Sequence, residues 1–430
     1  MNLDAEQLRA RLTPLFQENF EKFGELGAAV SVWQNGKELL ELHGGFRDAR
    51  REQTWDESTI VLIWSATKGL GSACLLHVLQ EYKIDIERRV AEFWPEFAQA
   101  GKEKITLGQL LSHQAGLAAL DRKVDVLDYG SVIDALEKQE PNWPPGSAHG
   151  YHARTFGFLL DELVRRISGT QLGEYWRKTF AEPLGLDLWI GLPENENARV
   201  ATMSAPKAGK QPKPKDRQSG PPAGRTRPVA SSDFYADLAT EGTFAHKVFA
   251  SPAGLQAVSA MNKPEIRAQP IVSFGGIGSA SALAKFYAML ANGGRILAKA
   301  SPSGGGEDRP AFAALRRGEQ VFSGKTIDWM TTTLTDGTDR VFQIPTAFSA
   351  GFMKDSRCAG ENLTALSSQV SERTIFGKSM QAFGHPGAGG SHAFADPENK
   401  ISFAYVMNQM EQSVLPNEKS LRLVDAIYTP

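Results

Sequence analysis

The pair Asn35-Gly36 separates two short β-prone runs, Ala28 to Trp33 and Lys37 to Leu42. Asn-Gly is the strongest short hairpin signal, because both residues tolerate the positive φ angles of a tight two-residue turn. Before it, Leu8, Leu12, Leu15, Phe16, Phe20 and Phe23 recur at helical spacing, which predicts an amphipathic helix over residues 5–22. The far end of the chain mirrors this order. Ser391 to Ala395 and Ile401 to Val406 flank Asp396-Pro397-Glu398-Asn399, and a helical stretch follows from Lys419 to Ile427. The economical solution is one antiparallel sheet built from both chain termini, flanked by helices, an α/β (α+β) arrangement.

Between these ends the pattern is mainly helical. Gly71 to Gln80, Thr106 to Ser112, Thr155 to Ile167, Gln171 to Phe180 and Ala282 to Ala291 read as helices, and Gly169 stands where a C-cap glycine belongs. With 430 residues, 41% of them hydrophobic, the chain can bury a large core. We expect a single catalytic domain over residues 1–430, with a sheet subdomain of about 1–85 and 270–430 and an inserted helical subdomain of about 86–269. Ala205 to Pro228 and Ala300 to Pro310 break the pattern and read as exposed loops.

Charge narrows the partners. The 47 basic and 49 acidic residues leave a net charge of −2, which gives no electrostatic reason to expect nucleic acid or an anionic membrane. A small-molecule substrate is the better expectation. Cys74 and Cys358 are too few for a disulfide framework, and Cys74 sits among apolar neighbours as a buried small residue would. The N-terminus lacks a basic and apolar leader pattern, and no window approaches eighteen uninterrupted apolar residues, so the expected location is cytoplasmic.

Three segments carry chemistry. In Ser65-Ala66-Thr67-Lys68 an amine follows a hydroxyl by three residues, so on a helix that Ser65 opens the two share a face. The helix N-terminus and burial both push the lysine towards its neutral, proton-accepting form, giving a nucleophile with its own base. Tyr151 ends the turn-rich run Pro144 to Gly150, just before a long helix. A phenol held near a lysine ammonium has its phenolate favoured and can pass protons between nucleophile and leaving group. In Phe383 to Ser391, glycines let a substrate lie against the backbone, and an edge strand can supply an N–H to a developing oxyanion. His385 could hydrogen-bond the substrate or the tyrosine.

These motifs, in this order, resemble those of the serine β-lactamase and penicillin-binding-protein superfamily, and most of all its class C-like branch with the family VIII carboxylesterases. Tyr151-His152-Ala153 occupies the place of a Tyr-x-Asn motif, and His385-Pro386-Gly387 that of Lys-Thr-Gly. Ile105 to Leu117, Ala181 to Leu186 and Gly275 to Ala280 add supporting similarity, so the resemblance spans residues from about 20 to 410. It implies a β-lactamase-like fold, Ser65 as acylated nucleophile, Lys68 as its base or the proton reservoir beside it, and Tyr151 as the partner that activates water or alcohol in deacylation. The backbone N–H groups of Ser65 and Ala388 would form the oxyanion hole, with His385, Gly387, Ala388 and His152 lining the substrate. No metal or organic cofactor is implied.

The departures bear on substrate. Ala153 stands where an asparagine would contact an amide, and His385 where a lysine would attract a carboxylate. A histidine is mostly neutral at pH 7. Both changes weaken recognition of β-lactams and D-alanyl peptides, so a carboxylesterase acting on small acyl esters is expected, with β-lactams as poor substrates. Acyl transfer, D-amino acid amide or peptide hydrolysis, and a non-catalytic binding role are the alternatives. The Gly-x-Ser-x-Gly pentad of an α/β-hydrolase is absent, its nearest approach being Gly389 to Ala393. No Cys or carboxylate cluster joins His149 and His152 to make a zinc site.

Overall fold

The computed structural model describes residues 1–207, 232–296, 318–357 and 374–429. Asn35 and Gly36 both adopt positive φ, 52° and 72°, and close the hairpin of β1 (Gly27–Gln34) and β2 (Lys37–Gly45). Three short strands come next in the chain: β3 (Val61–Trp64), β4 (Leu188–Trp189) and β5 (Gly276–Gly278). The C-terminal part supplies β6 (Thr335–Thr338), β7 (Pro345–Phe348), β8 (Met353–Lys354), β9 (Phe383–Pro386), β10 (His392–Asp396) and β11 (Ile401–Met407).

The main sheet has the order β2-β1-β11-β10-β9-β8-β7-β6 and is antiparallel throughout. β1 from the N-terminal hairpin pairs with β11, in register from Ala28–Met407 to Gln34–Ile401, so strands from the two ends of the chain meet one strand in from the β2 edge. Helix α1 (Ala5–Glu21), capped by the Asp4 side chain on the Gln7 amide, packs against the C-terminal helix Glu418–Tyr428 and against β2. Side chains three apart on a strand point to opposite faces. On β11, Ser402 donates to Ala284 O of the helix Ala280–Ala291, whereas the Tyr405 hydroxyl meets Glu25 and Asn19 beside α1. The terminal helices therefore cover one face and Ala280–Ala291 the other.

A second, three-stranded sheet, β3-β5-β4, was not expected. Its strands have only two to four residues, too few to show a period, and the glycines of β5 read as a turn. It matters because β3 leads directly into Ser65. Helix α2 (Thr67–Glu81) follows and is buried nearly all round, from Thr67 to Leu76 without a break, as befits an apolar helix inside a protein. The next helices are α3 (Leu107–Leu111), with a Thr106–Gln109 capping box, α4 (Tyr129–Lys138) and α5 (Phe156–Ser168), which ends at Gly169 with φ 76° and packs on α2. The single helix expected over 171–180 is instead Leu172–Trp176 followed by a π-helical turn, Arg177–Ala181. Cys74 is buried and free. Cys358, the loop expected over 300–310 and most of that over 205–228 lie outside the described residues.

Candidate active site

Ser65 stands in the turn between β3 and α2, two residues before the helix it was expected to open. The turn is tight. Trp64 takes a positive φ of 51°, Thr67 Oγ1 donates to Trp64 O at 2.5 Å, and the Gly276 amide of β5 donates to the same Thr67 oxygen at 2.8 Å. The small sheet thus fixes the serine, and the first turn of α2 brings Lys68 beneath it.

Lys68 is fully buried, and its Nζ lies 3.3 Å from Ser65 Oγ, 2.7 Å from Ala153 O and 2.7 Å from Ser273 O. Burial holds its pKa well below the ordinary lysine range, and the nearby Arg154 guanidinium adds to the effect. As an ammonium, Lys68 donates to all three oxygens. Once neutral it keeps two N–H bonds, which the two carbonyl oxygens can take, and its lone pair is then left for the serine hydroxyl.

Tyr151 is buried beside this pair. Its ring centroid is 4.9 Å from Lys68 Nζ, and the Ser65 side chain is near enough to its hydroxyl to favour the phenolate somewhat. Phe342 stacks on the ring at 4.9 Å, and His113 and His385 lie at 5.3 and 5.9 Å. The expectation of a favoured phenolate is corrected here. Burial raises the phenol pKa, the nearby Ser65 side chain only partly offsets this, and Asp339 pushes it further up. The same burial that disfavours the phenolate disfavours the Lys68 ammonium that would stabilise it.

The third segment also departs from expectation. Neither β9 nor β10 is an edge strand, since β8 covers β9. But β8 is only two residues long and pairs with β9 at the single position Met353–Gly384, so His385 and Pro386 have no strand partner on that side. Gly387 follows with a required absence of side chain: a Cβ there would lie 2.2 Å from Ile63 O. This contact brings the Ala388 backbone close to the Ser65 turn. No acceptor for the Ser65 or Ala388 amide is found among the described residues.

His385 is buried, and its Nδ1 lies 2.8 Å from Pro386 O, so the ring proton is on Nδ1. Nε2 is a buried lone pair without a partner. Burial, then Lys68, pushes the pKa down to about 3, so the ring is neutral at pH 7. His152, expected at the substrate, is placed otherwise. Its Nε2 accepts the Leu117 amide at 2.9 Å and its Nδ1 meets Gly150 O at 2.7 Å, which leaves no nitrogen for a ligand. It holds the Tyr151 loop instead.

Four further residues build the site without any motif in the sequence. Ser273 gives its carbonyl to Lys68 while its hydroxyl donates to Arg154 O at 2.5 Å and accepts from the Gly157 amide at 2.8 Å. Arg154 lies over the Phe274 ring. His113, with φ 61°, accepts the Gly150 amide on its carbonyl and the His152 amide on Nδ1, so it grips both neighbours of Tyr151. Asp339 accepts the Tyr151 amide itself at 3.3 Å. Only the run Ile105 to Leu117, with its family similarity, pointed towards any of them, through His113. No group of three or more metal-ligating side chains is found among the described residues.

A family model described as Beta-lactamase matches residues 16–426. The chain belongs to the beta-lactamase family. Among the relatives of this family member is the esterase/beta-lactamase LipL of Mycobacterium tuberculosis, 27% identical over 398 residues, which are 90% of this chain and 78% of LipL. A penicillin-binding protein homolog from Caulobacter crescentus superposes with a TM-score of 0.76 at 31% identity, covering all of this chain and 98% of the other. A family VIII carboxylesterase gives the same TM-score and coverage at 30% identity. The beta-lactamase-like fold read from the motifs is thus that of the molecule, and the chain is a hydrolase of the esterase/beta-lactamase type. No helix among the described residues is long and apolar enough to cross a membrane.

Proposed function

We propose that this chain is a serine carboxylesterase that hydrolyses small acyl esters through a covalent acyl-enzyme on Ser65. The observation that carries the reading is the hydrogen bonding of Lys68: two carbonyls occupy its N–H bonds and Ser65 Oγ lies at its remaining valence. In this reading Ser65 Oγ attacks the ester carbonyl carbon and its proton passes to Lys68 Nζ. The carbonyl oxygen becomes an oxyanion facing the free amides of Ser65 and Ala388. Tyr151 gives its phenolic proton to the departing alkoxide as the C–O bond breaks, and is reprotonated from Lys68. In the second half a water takes the alcohol's place and attacks the acyl carbon, its proton passing to Tyr151 as the phenol gives its own to Lys68; the acyl–Ser65 bond then breaks to release the acid, and Lys68 returns the proton to Ser65 Oγ.

Ester preference is supported by what the pocket lacks. Ala153 presents a methyl group where an amide-recognising side chain would stand, and neutral His385 offers no cation to a substrate carboxylate. An ester needs neither contact, and its leaving group is better than an amine. The esterase relatives point the same way.

The test is a substrate panel. Short p-nitrophenyl acyl esters should turn over far faster than a chromogenic cephalosporin or a D-amino acid amide; the reverse ranking overturns the reading. Mass spectrometry after a fluorophosphonate should place the adduct on Ser65, and Ser65→Ala should abolish both labelling and turnover while leaving the fold intact.

A further inference from the structure

The loop that presents Tyr151 is stitched to the hairpin of β6 and β7 at the outer end of the main sheet. The Arg340 amide donates to His149 O at 3.0 Å. The His149 ring spans the two strands, with Nδ1 2.9 Å from Thr335 Oγ1 and Nε2 3.0 Å from Thr346 Oγ1. At the centre is Asp339, wholly buried. Its Oδ1 accepts the amides of Val341 at 2.7 Å, Phe342 at 2.9 Å and Tyr151 at 3.3 Å, and its Oδ2 accepts the Thr346 hydroxyl at 3.2 Å.

With Asp339 ionised, Thr346 donates to the carboxylate, its oxygen accepts from Nε2–H of His149, and Nδ1 accepts from Thr335. Burial raises the Asp339 pKa, and a protonated Asp339 would satisfy the same contacts with the chain reversed. In either form Oδ1 accepts the Tyr151 amide. The amides of Val341 and Phe342 are local to the hairpin connection, and an aspartate closing its own turn would explain them. One contact goes beyond turn closure, the Tyr151 amide, 188 residues away in sequence; and the Phe342 backbone that the same carboxylate holds carries a ring stacked on the Tyr151 ring at 23°.

We propose that Asp339 is a positioning residue for Tyr151: one buried carboxylate fixes the tyrosine's backbone directly and its ring through Phe342, and so sets the phenol against Ser65 and Lys68. The inference rests on the reading of Tyr151 as proton carrier. A residue that acts through Tyr151 loses its effect on rate when the phenol is gone, whereas a hairpin-closing residue does not.

A double-mutant cycle separates the two. Rates of p-nitrophenyl ester turnover are normalised to active sites titrated with a fluorophosphonate, for wild type, Tyr151→Phe, Asp339→Ala and the double variant. Asp339→Ala is expected to lower kcat about tenfold or more, with KM within about threefold, and to change kcat less than about twofold when Tyr151→Phe is already present. Asp339→Asn keeps an acceptor for the Tyr151 amide and should recover much of the loss. Equal factors in both backgrounds, or no loss in either, overturn the inference. If Asp339→Ala does not fold, Asp339→Asn carries the same cycle, with an expected loss of about threefold that disappears in the Tyr151→Phe background. A wild-type rate for Tyr151→Phe alone overturns instead the role given to Tyr151.

Discussion

Gly387 lies against Ile63 with no room for a methyl group, its missing Cβ falling 2.2 Å from the Ile63 carbonyl oxygen. Ile63 is two residues before the nucleophile and Gly387 is one before the amide of Ala388. This single contact sets how near the two halves of the site can approach. Gly387→Ala must therefore separate them. We expect kcat on an acyl ester to fall by an order of magnitude or more, with a stability loss of about 1–3 kcal/mol in denaturant unfolding, the usual cost of overpacking. Unchanged kcat with unchanged stability would remove the contact from any role.

Lys68 works as a base only when neutral. Burial depresses its folded pKa, so the neutral fraction grows as pH rises through a value well below 10.5, and kcat/KM should climb on a limb displaced to the acid side of an exposed lysine. Lys68→Arg keeps the charge at every pH and should lower kcat/KM by about two orders of magnitude or more throughout. A rising limb near the ordinary lysine value would sink the assignment.

His385 is neutral above about pH 3 and cannot be the group whose ionisation shapes the profile near neutrality. Replacing it by glutamine keeps a neutral, hydrogen-bonding side chain. The midpoint of the kcat/KM limb in His385→Gln should coincide with wild type even where the rate differs. A midpoint that moves would mean that His385 titrates in the working range.

His392 offers a test of stability rather than rate. Phe376, Phe394 and Phe403 surround it at 5.8, 5.7 and 5.5 Å, its Nε2 has no partner, and burial pushes its pKa down to about 3. Unfolded, it titrates near 6.5. Between those values the unfolded chain binds the extra proton, so stability is full above about pH 6.5 and drains as pH falls, by about 1.4 kcal/mol per pH unit. His392→Phe should fit the aromatic box and unfold at lower pH than wild type in an acid titration followed by circular dichroism. An identical acid midpoint would show that His392 does not carry this linkage.

The ends of the fold and the closeness of Ser65 to Lys68 were legible because each leaves a local mark. Asn35-Gly36 requires a tight turn, Gly169 a left-handed cap, and Ser65 with Lys68 a spacing of one turn. The rest of the site was hidden for equally physical reasons. Ser273 and Ala153 act through carbonyl oxygens, which every residue possesses, so nothing in their side chains betrays them. Asp339 is one aspartate among several in a polar stretch, and only the fold places it beside Tyr151. The charge states were misjudged for Tyr151 because the sequence shows a lysine nearby but not that both are buried, and burial reverses the argument.

The pairing of β1 with β11 also fixes when the molecule can become active. The nucleophile is synthesised within the first sixth of the chain, yet the strand that completes its sheet and the Ala388 amide arrive only with the last tenth. A nascent chain thus carries Ser65 and Lys68 for most of its synthesis without the partners that would make them reactive. On the proposed reading, the order in which the sheet is completed keeps an unfinished chain from being acylated.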